Sequence, residues 1–313
     1  MNKNGKWVFC KRAFILLVIS GVLFLHFYIP RFITEIKNPL IETIKTKHII
    51  ASTSFDTNKL KGKYIHFKSF DKTAFTSYLT YSNLDTVRGT IILLHGIRSN
   101  KESFVKLSKK LSLAGYNSIA LDSRAHGQSG GTHCTFGVKE KKDISVLINL
   151  LNQQENITEN IGIWGQSLGG AIALQSLGND KRITFGVIES TFSDFKTITN
   201  DYFKYHVGFN IKPLTNYLIY RAGKIAGFDP DDARPITYCK KIEQPVLIVH
   251  GNKDKRINIT YAKNNFANIP STKKEFIEIK NANHLTVWKT GGDAYFNTTL
   301  EFIEESILRN QSQ

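Results

Sequence analysis

The chain has 313 residues, 41% of them hydrophobic and 22% charged, which excludes a disordered or low-complexity protein and allows one α/β-sized domain with a small appendage. Its formal net charge is +16, but the basic residues are dispersed (Lys61, Lys63, Lys68 and Lys72; Lys139, Lys141 and Lys142; Lys273 and Lys274) and no nucleic-acid motif accompanies them. They read as solvated faces beside a membrane, and no nucleic-acid partner is expected.

Residues Ala13–Ile29 form an apolar run with one interior histidine, His26, and as a helix they would extend about 25 Å, close to the hydrocarbon thickness of a bilayer. Lys3, Lys6, Lys11 and Arg12 precede the run with no acidic residue, which favours a cytoplasmic N-terminus. Arg31, Lys37, Lys45 and Lys47 follow it and weigh the other way. A cleaved signal peptide would need small residues at its end; here the end reads Leu-His-Phe-Tyr-Ile-Pro, so an uncleaved anchor over residues 1–30 is expected. It would put the body on the periplasmic or extracellular side.

Residues 31–61 lack a clean period and read as a linker with one short helix; the remaining 62–313 read as one domain. Its first candidate strands are Tyr64–Phe67, Ala74–Tyr81 and the continuous apolar run Thr90–Leu94, which suits a strand buried on both faces. Then the pattern alternates: helix Lys101–Ala114, strand Asn117–Leu121, loop Asp122–Gly131, helix Val138–Gln153, strand Ile161–Trp164, a helix after Ser167, and strand Thr184–Ile188. A polar and aromatic insertion runs from about Thr191 to Lys241. Strand Pro245–Val249, helix Ile259–Ala267, strand Glu275–Ile279 and helix Ala294–Leu308 complete the chain. Such alternation predicts an α/β fold with a mostly parallel sheet covered by helices on both faces.

Gly165-Gln166-Ser167-Leu168-Gly169 stands between a β run and an Ala/Leu-rich helix. A serine at this strand-to-helix turn presents its hydroxyl on a sharp, strained corner where flanking glycines leave room for the backbone. A hydroxyl needs a base to take its proton. Of the histidines beyond Ser167, His206 falls in the insertion and His250 ends a buried strand, where a packed structural role fits; His284 follows the last strand and is the expected base. Asp254, just past a strand end, is the expected partner of the imidazole, with Glu189 and Asp194 as rivals. The backbone N–H groups of Leu168 and Ile97 are the expected oxyanion-hole donors, and His95 is read as bracing its loop.

Together His95-Gly96, Asp122-Ser123-Arg124-Ala125-His126-Gly127, Gly165-Gln166-Ser167-Leu168-Gly169-Gly170, Glu189-Ser190-Thr191-Phe192, His250-Gly251-Asn252-Lys253-Asp254 and Asn283-His284 resemble the α/β-hydrolase superfamily. The resemblance extends from about Tyr64 to Leu308. More narrowly, the chain is similar to N-terminally anchored α/β-hydrolase-domain proteins and their bacterial relatives, with Ala125 where those usually have glycine. It implies Ser167, Asp254 and His284 as a catalytic triad, and a small helical cap formed by the insertion. A serine esterase, thioesterase or lipase-like enzyme acting on a small-molecule or lipid-like acyl substrate is expected, with no metal or organic cofactor. A serine peptidase and a non-catalytic binding protein are the alternatives. Of the three cysteines, Cys134 and Cys239 could pair, but buried free thiols are expected.

Overall fold

The computed structural model describes residues 3–37, 60–153, 157 and 159–311. Strands β1 (Gly62–Lys68), β2 (Ala74–Thr80), β3 (Gly89–Leu94), β4 (Tyr116–Leu121), β5 (Ile161–Gln166), β6 (Ile183–Glu189), β7 (Val246–Gly251) and β8 (Lys274–Ile279) form one sheet. Their spatial order is β1-β2-β4-β3-β5-β6-β7-β8. The pairs β1–β2 and β2–β4 are antiparallel and every later pairing is parallel, as the alternation of strands and helices requires.

Every residue of β3, β4 and β7 is buried, because helices cover both faces of the sheet. Helices α3 (Val105–Leu113) and α10 (Val287–Gln311) cover one face through Leu107, Leu111, Phe302 and Ile303, packed with Ile91, Leu93 and Trp164. Helices α4 (Glu140–Leu151), α5 (Leu168–Leu177) and α9 (Ile259–Asn268) cover the other, where Ile92, Leu94 and Ile163 point. Neighbouring residues of one strand thus feed two separate cores, as the two-residue period of a strand demands. Strand order reverses between β3 and β5, and the carboxyl ends of strands flanking such a switch point open a crevice for ligands.

Local chemistry moves several expected boundaries. The helix expected from Lys101 opens as a 3₁₀ turn, Lys101–Phe104, capped by the Asn100 side chain. The helix expected from Val138 starts at Glu140, whose carboxylate reaches back to accept the N–H groups of Thr135 and Gly137 at 2.7 and 2.8 Å. The last helix begins at Val287, ahead of Ala294, and breaks at Gly292, where φ is 58°. Lys141 departs from the solvated reading: it is buried, with Nζ donating to the Val138 carbonyl at 2.8 Å and lying over the Tyr238 ring. The insertion between β6 and β7 carries α6 (Phe195–Val207), α7 (Lys212–Ala226) and α8 (Pro235–Cys239). Asp194 caps α6 by accepting the Thr197 N–H, and Gly208 ends it in the left-handed conformation. Cys134 and Cys239 are buried and unpaired.

At the amino end, the stretch Trp7–Thr34, which takes in most of α1 (Lys3–Phe27), is long and apolar enough to cross a membrane by length and composition. A turn leads into α2 (Ile29–Thr34), started by Pro30. The first part of the expected linker is fastened to the body. Glu35 forms an antiparallel bridge with His133, the Ile36 N–H donates to the Thr132 carbonyl at 3.0 Å, and the Cys134 N–H donates to the Thr34 carbonyl at 2.8 Å. The rest of that linker, 38–59, lies outside the described residues.

Candidate active site

Ser167 sits between β5 and α5 with φ 54° and ψ −115°, a conformation that L residues rarely adopt. The strain is held by the surrounding backbone: the Ser167 N–H donates to the Glu189 carbonyl at 2.9 Å, and the Thr191 hydroxyl donates to the Ser167 carbonyl at 2.8 Å. Gly169 permits the close approach of α5 to β3, since a Cβ there would lie 2.0 Å from the Leu94 carbonyl oxygen. As the first residue of α5, Leu168 has an N–H without an intrahelical acceptor, at the positive end of the helix dipole.

The structure brings the three expected side chains together. The Ser167 hydroxyl lies 3.1 Å from His284 Nε2, in reach to donate its proton, and His284 Nδ1 is 2.7 Å from Asp254 Oδ2. His284 stands on a loop braced locally, where Asn283 Oδ1 accepts the Leu285 N–H and Thr286 Oγ1 accepts the Asn283 N–H, both at 2.9 Å. Asp254 follows β7 in a turn whose Arg256 and Ile257 N–H groups both donate to its Oδ1 at 2.9 Å. Burial would raise the Asp254 carboxyl. Hydrogen bonds from His250, His284 and Ile257 outweigh it and hold the group well below the usual carboxylate range. His250 is fully buried, with Nε2 2.8 Å from the Ile257 carbonyl and 3.4 Å from Asp254 Oδ2. It therefore packs as expected and also steadies the acid.

The rivals lie elsewhere in the arrangement. Asp194 is the cap of α6. Glu189 is buried under Trp164, Trp288 and Tyr295, all of which donate to its carboxylate. His206 is exposed at the end of α6 and lines the cavity above Ser167. His95 braces its loop: Nε2 accepts the Ser123 N–H at 3.1 Å and Nδ1 donates to the Gly96 carbonyl at 2.8 Å. Its burial holds the imidazole below its ordinary range. Ala125 adopts φ 66° at the position where the resemblance leads one to expect glycine, so this loop carries strain of about 1 kcal/mol.

Ser167, Leu168 and Ile97 line one cavity of about 350 Å³. Its walls are mostly apolar, from Phe136, Phe192, Phe195, Ile198, Tyr202, Phe203 and Ile257. Ile29, Phe32 and Ile33 of α2 also line it, and sequence reasoning missed them. Their i, i+3, i+4 spacing was the available sign of an apolar helix face. Arg98, also missed, lines the cavity beside Ile97 with φ 58° and donates from Nη2 to the Phe32 carbonyl at 2.7 Å. Among the described residues, no group of three or more His, Cys, Asp or Glu is placed to hold a metal ion.

Residues 85–193 match the model of a family described as "Serine aminopeptidase, S33". Uncharacterized protein YqkD of Bacillus subtilis is 25% identical over 257 residues, covering 76% of this chain and 81% of that protein. Alpha/beta hydrolase domain-containing protein WAV2 of Arabidopsis thaliana is 26% identical over 199 residues, 60% of this chain and 61% of that one. Among solved structures, the Pyrococcus furiosus esterase Pf2001 superposes with a TM-score of 0.68 at 21% identity, over 82% of this chain and 96% of its own. Acetyl xylan esterase 1 of Thermoanaerobacterium gives 0.61 at 16% identity, over 82% and 87%; at these identities the likeness is one of fold. Its sheet order and its likeness to these structures give the chain the α/β-hydrolase fold, and within residues 85–193 it is similar to the serine aminopeptidase family.

Proposed function

We propose that this chain is a membrane-anchored serine hydrolase that cleaves carboxylic esters or thioesters through an acyl-enzyme. The hydrogen-bonded series Ser167–His284–Asp254 beneath an apolar cavity is the observation that carries this reading. In the first half-reaction Ser167 Oγ attacks the acyl carbon while His284 Nε2 takes the hydroxyl proton. The carbonyl becomes an oxyanion, held by the N–H groups of Ile97 and Leu168. His284 then returns the proton to the departing alcohol or thiol. A water, deprotonated by His284, attacks the acyl-enzyme and frees the acid and Ser167. Asp254, kept ionised by its donors, holds the imidazole oriented and stabilises its positive form.

The family described as serine aminopeptidases suggests a peptidase as the second reading. An aminopeptidase must hold a cationic amino group, and the cavity offers Arg98 and no carboxylate among its lining residues, which favours the ester or thioester reading. The insertion 191–241 serves as the cap, residues 1–30 as the anchor and 62–313 as the hydrolase domain. The basic residues at the start of α1, ahead of the apolar run from Ala13, favour a body on the non-cytoplasmic side. A panel of p-nitrophenyl esters of rising chain length, run beside acyl-thioester and aminoacyl substrates, tests the reaction class. A fluorophosphonate probe should label wild type and spare Ser167→Ala; labelling retained in that variant would remove Ser167 from the mechanism. Protease added to spheroplasts should digest the body, and protection would reverse the orientation.

A further inference from the structure

The turn joining α6 to α7 carries an apolar surface that the fold does not cover. Val207, Phe209 and Ile211 are 52, 63 and 54% exposed, and Leu214 continues the patch on the first turn of α7. Single exposed apolar residues are ordinary, but a run of them on one protruding turn marks a contact surface. The flanking exposed residues include Lys204 and Lys212, and exposed Tyr205 and Tyr217 stand beside them. Aromatic side chains with a polar tip, lysines and bulky aliphatics are together the composition that settles at a bilayer interface, with the lysines toward anionic headgroups.

Two further observations give the patch its occupant. Helix α7 packs along α2, directly after the apolar helix, and the Tyr217 hydroxyl hydrogen-bonds His26 near the end of α1. The patch is therefore continuous with the point where α1 would leave the membrane. The exposed members of the cavity lining are His206 and Val207, in the last turn of α6. The cavity over Ser167 thus reaches the surface within the patch itself.

We propose that the α6–α7 turn seats in the interfacial layer of the bilayer that holds α1, so that the cavity opens onto lipid and receives the acyl chain of a membrane-resident ester. This rests on the readings of α1 as a membrane helix and of Ser167 as the acyl-transfer residue. A cavity of about 350 Å³ falls within the usual range of small-molecule sites, roughly 300–1,000 Å³, and has room for an acyl chain. Ile29 and Phe32 form the wall on the α2 side.

The test uses the full-length chain reconstituted in vesicles of phosphatidylcholine and phosphatidylglycerol. A fluorophore is placed by Phe209→Cys, or by Leu84→Cys as control, in a Cys10→Ser background; Leu84 is exposed just before β3, at the opposite end of the sheet. Nitroxide carried on lipid acyl chains should quench the probe at 209 and spare the probe at 84. The Phe209→Asp/Ile211→Asp variant should hydrolyse a water-soluble short ester like wild type. Its turnover of a long-chain ester embedded in the vesicles should fall by about tenfold or more, each factor of ten corresponding to ~1.4 kcal/mol of lost membrane contact. Absent quenching at 209, equal quenching at both sites, or unchanged turnover of the embedded ester would overturn the proposal. If wild type cleaves neither ester while the 209 probe is quenched, the membrane seat stands and the acyl-transfer reading falls.

Discussion

Glu189 offers a test of how the core beneath Ser167 is held. Its carboxylate Oε1 accepts from Trp164 Nε1 at 2.6 Å and from the Tyr295 hydroxyl at 2.5 Å, and Oε2 accepts from Trp288 Nε1 at 3.0 Å. The side chain is 2% exposed. Burial disfavours the charged form more than the three donors favour it, and the carboxyl is pushed up to about 7 from an ordinary 4.5. Between those values the folded protein keeps a proton that the unfolded chain has released. Stability from this group is therefore full below about pH 4.5 and is lost progressively as pH rises to about 7. The gap, at ~1.36 kcal/mol per pH unit, amounts to about 3 kcal/mol. At about 2–4 °C per kcal/mol for a domain of this size, it corresponds to about 6–12 °C in Tm. Thermal unfolding of detergent-solubilised wild type and Glu189→Gln should be followed from about pH 5 to about pH 8. The Tm of Glu189→Gln should gain on that of wild type by about three quarters of that amount across the range, since part of the loss precedes pH 5. The change with pH carries the information, because the glutamine N–H groups meet indole donors and lower stability at every pH. Parallel profiles would refute the reasoning and mean that the three donors keep Glu189 ionised.

His284→Ala and Asp254→Asn should each lower kcat for a short ester by about 10²–10⁴, as loss of positioned proton transfer does, with little change in unfolding midpoint; a wild-type rate in the histidine variant would redirect attention to His206. Lys101 and Asp122 form a fully buried ion pair at 2.8 Å. Lys101→Met should destabilise the fold by about 3–5 kcal/mol in denaturant unfolding, because it strands the Asp122 charge. Burial raises the thiols of Cys134 and Cys239, so iodoacetamide should spare both in the native protein and modify both in guanidinium, as peptide mass spectrometry reads directly.

The parts legible in the sequence were those with a local cause. Continuous apolar runs at Thr90–Leu94 and Ile161–Trp164 are strands because both faces are covered, and the glycines around Ser167 mark a turn whose backbone contacts admit no side chain. Chain order singled out His284 and Asp254 because successive strand ends deliver their loops to one edge of the sheet. What stayed hidden depends on long-range packing. The placement of β4 between β2 and β3 has no signature within either segment. Lys141 reads like any surface lysine until Tyr238, some hundred residues later, covers it. The part of α2 in the cavity wall was obscured by its neighbour, since an apolar residue following a long apolar helix looks like more of the same. Arg98 stands alone in its segment, and only the fold brings it to Phe32.

The fastening of residues 34–36 onto the strand-like segment 132–134 has a kinetic consequence. A body on a slack tether tumbles and samples substrate from the surrounding volume. On the proposed reading of α1 as a membrane helix, a body clipped to it within a few residues of the helix end loses most of that rotation. With α1 in a bilayer, its search becomes two-dimensional, and encounter frequency follows the surface density of substrate in the membrane. Diluting a lipid-borne ester with inert lipid would then slow turnover, whereas diluting the vesicles in buffer would not.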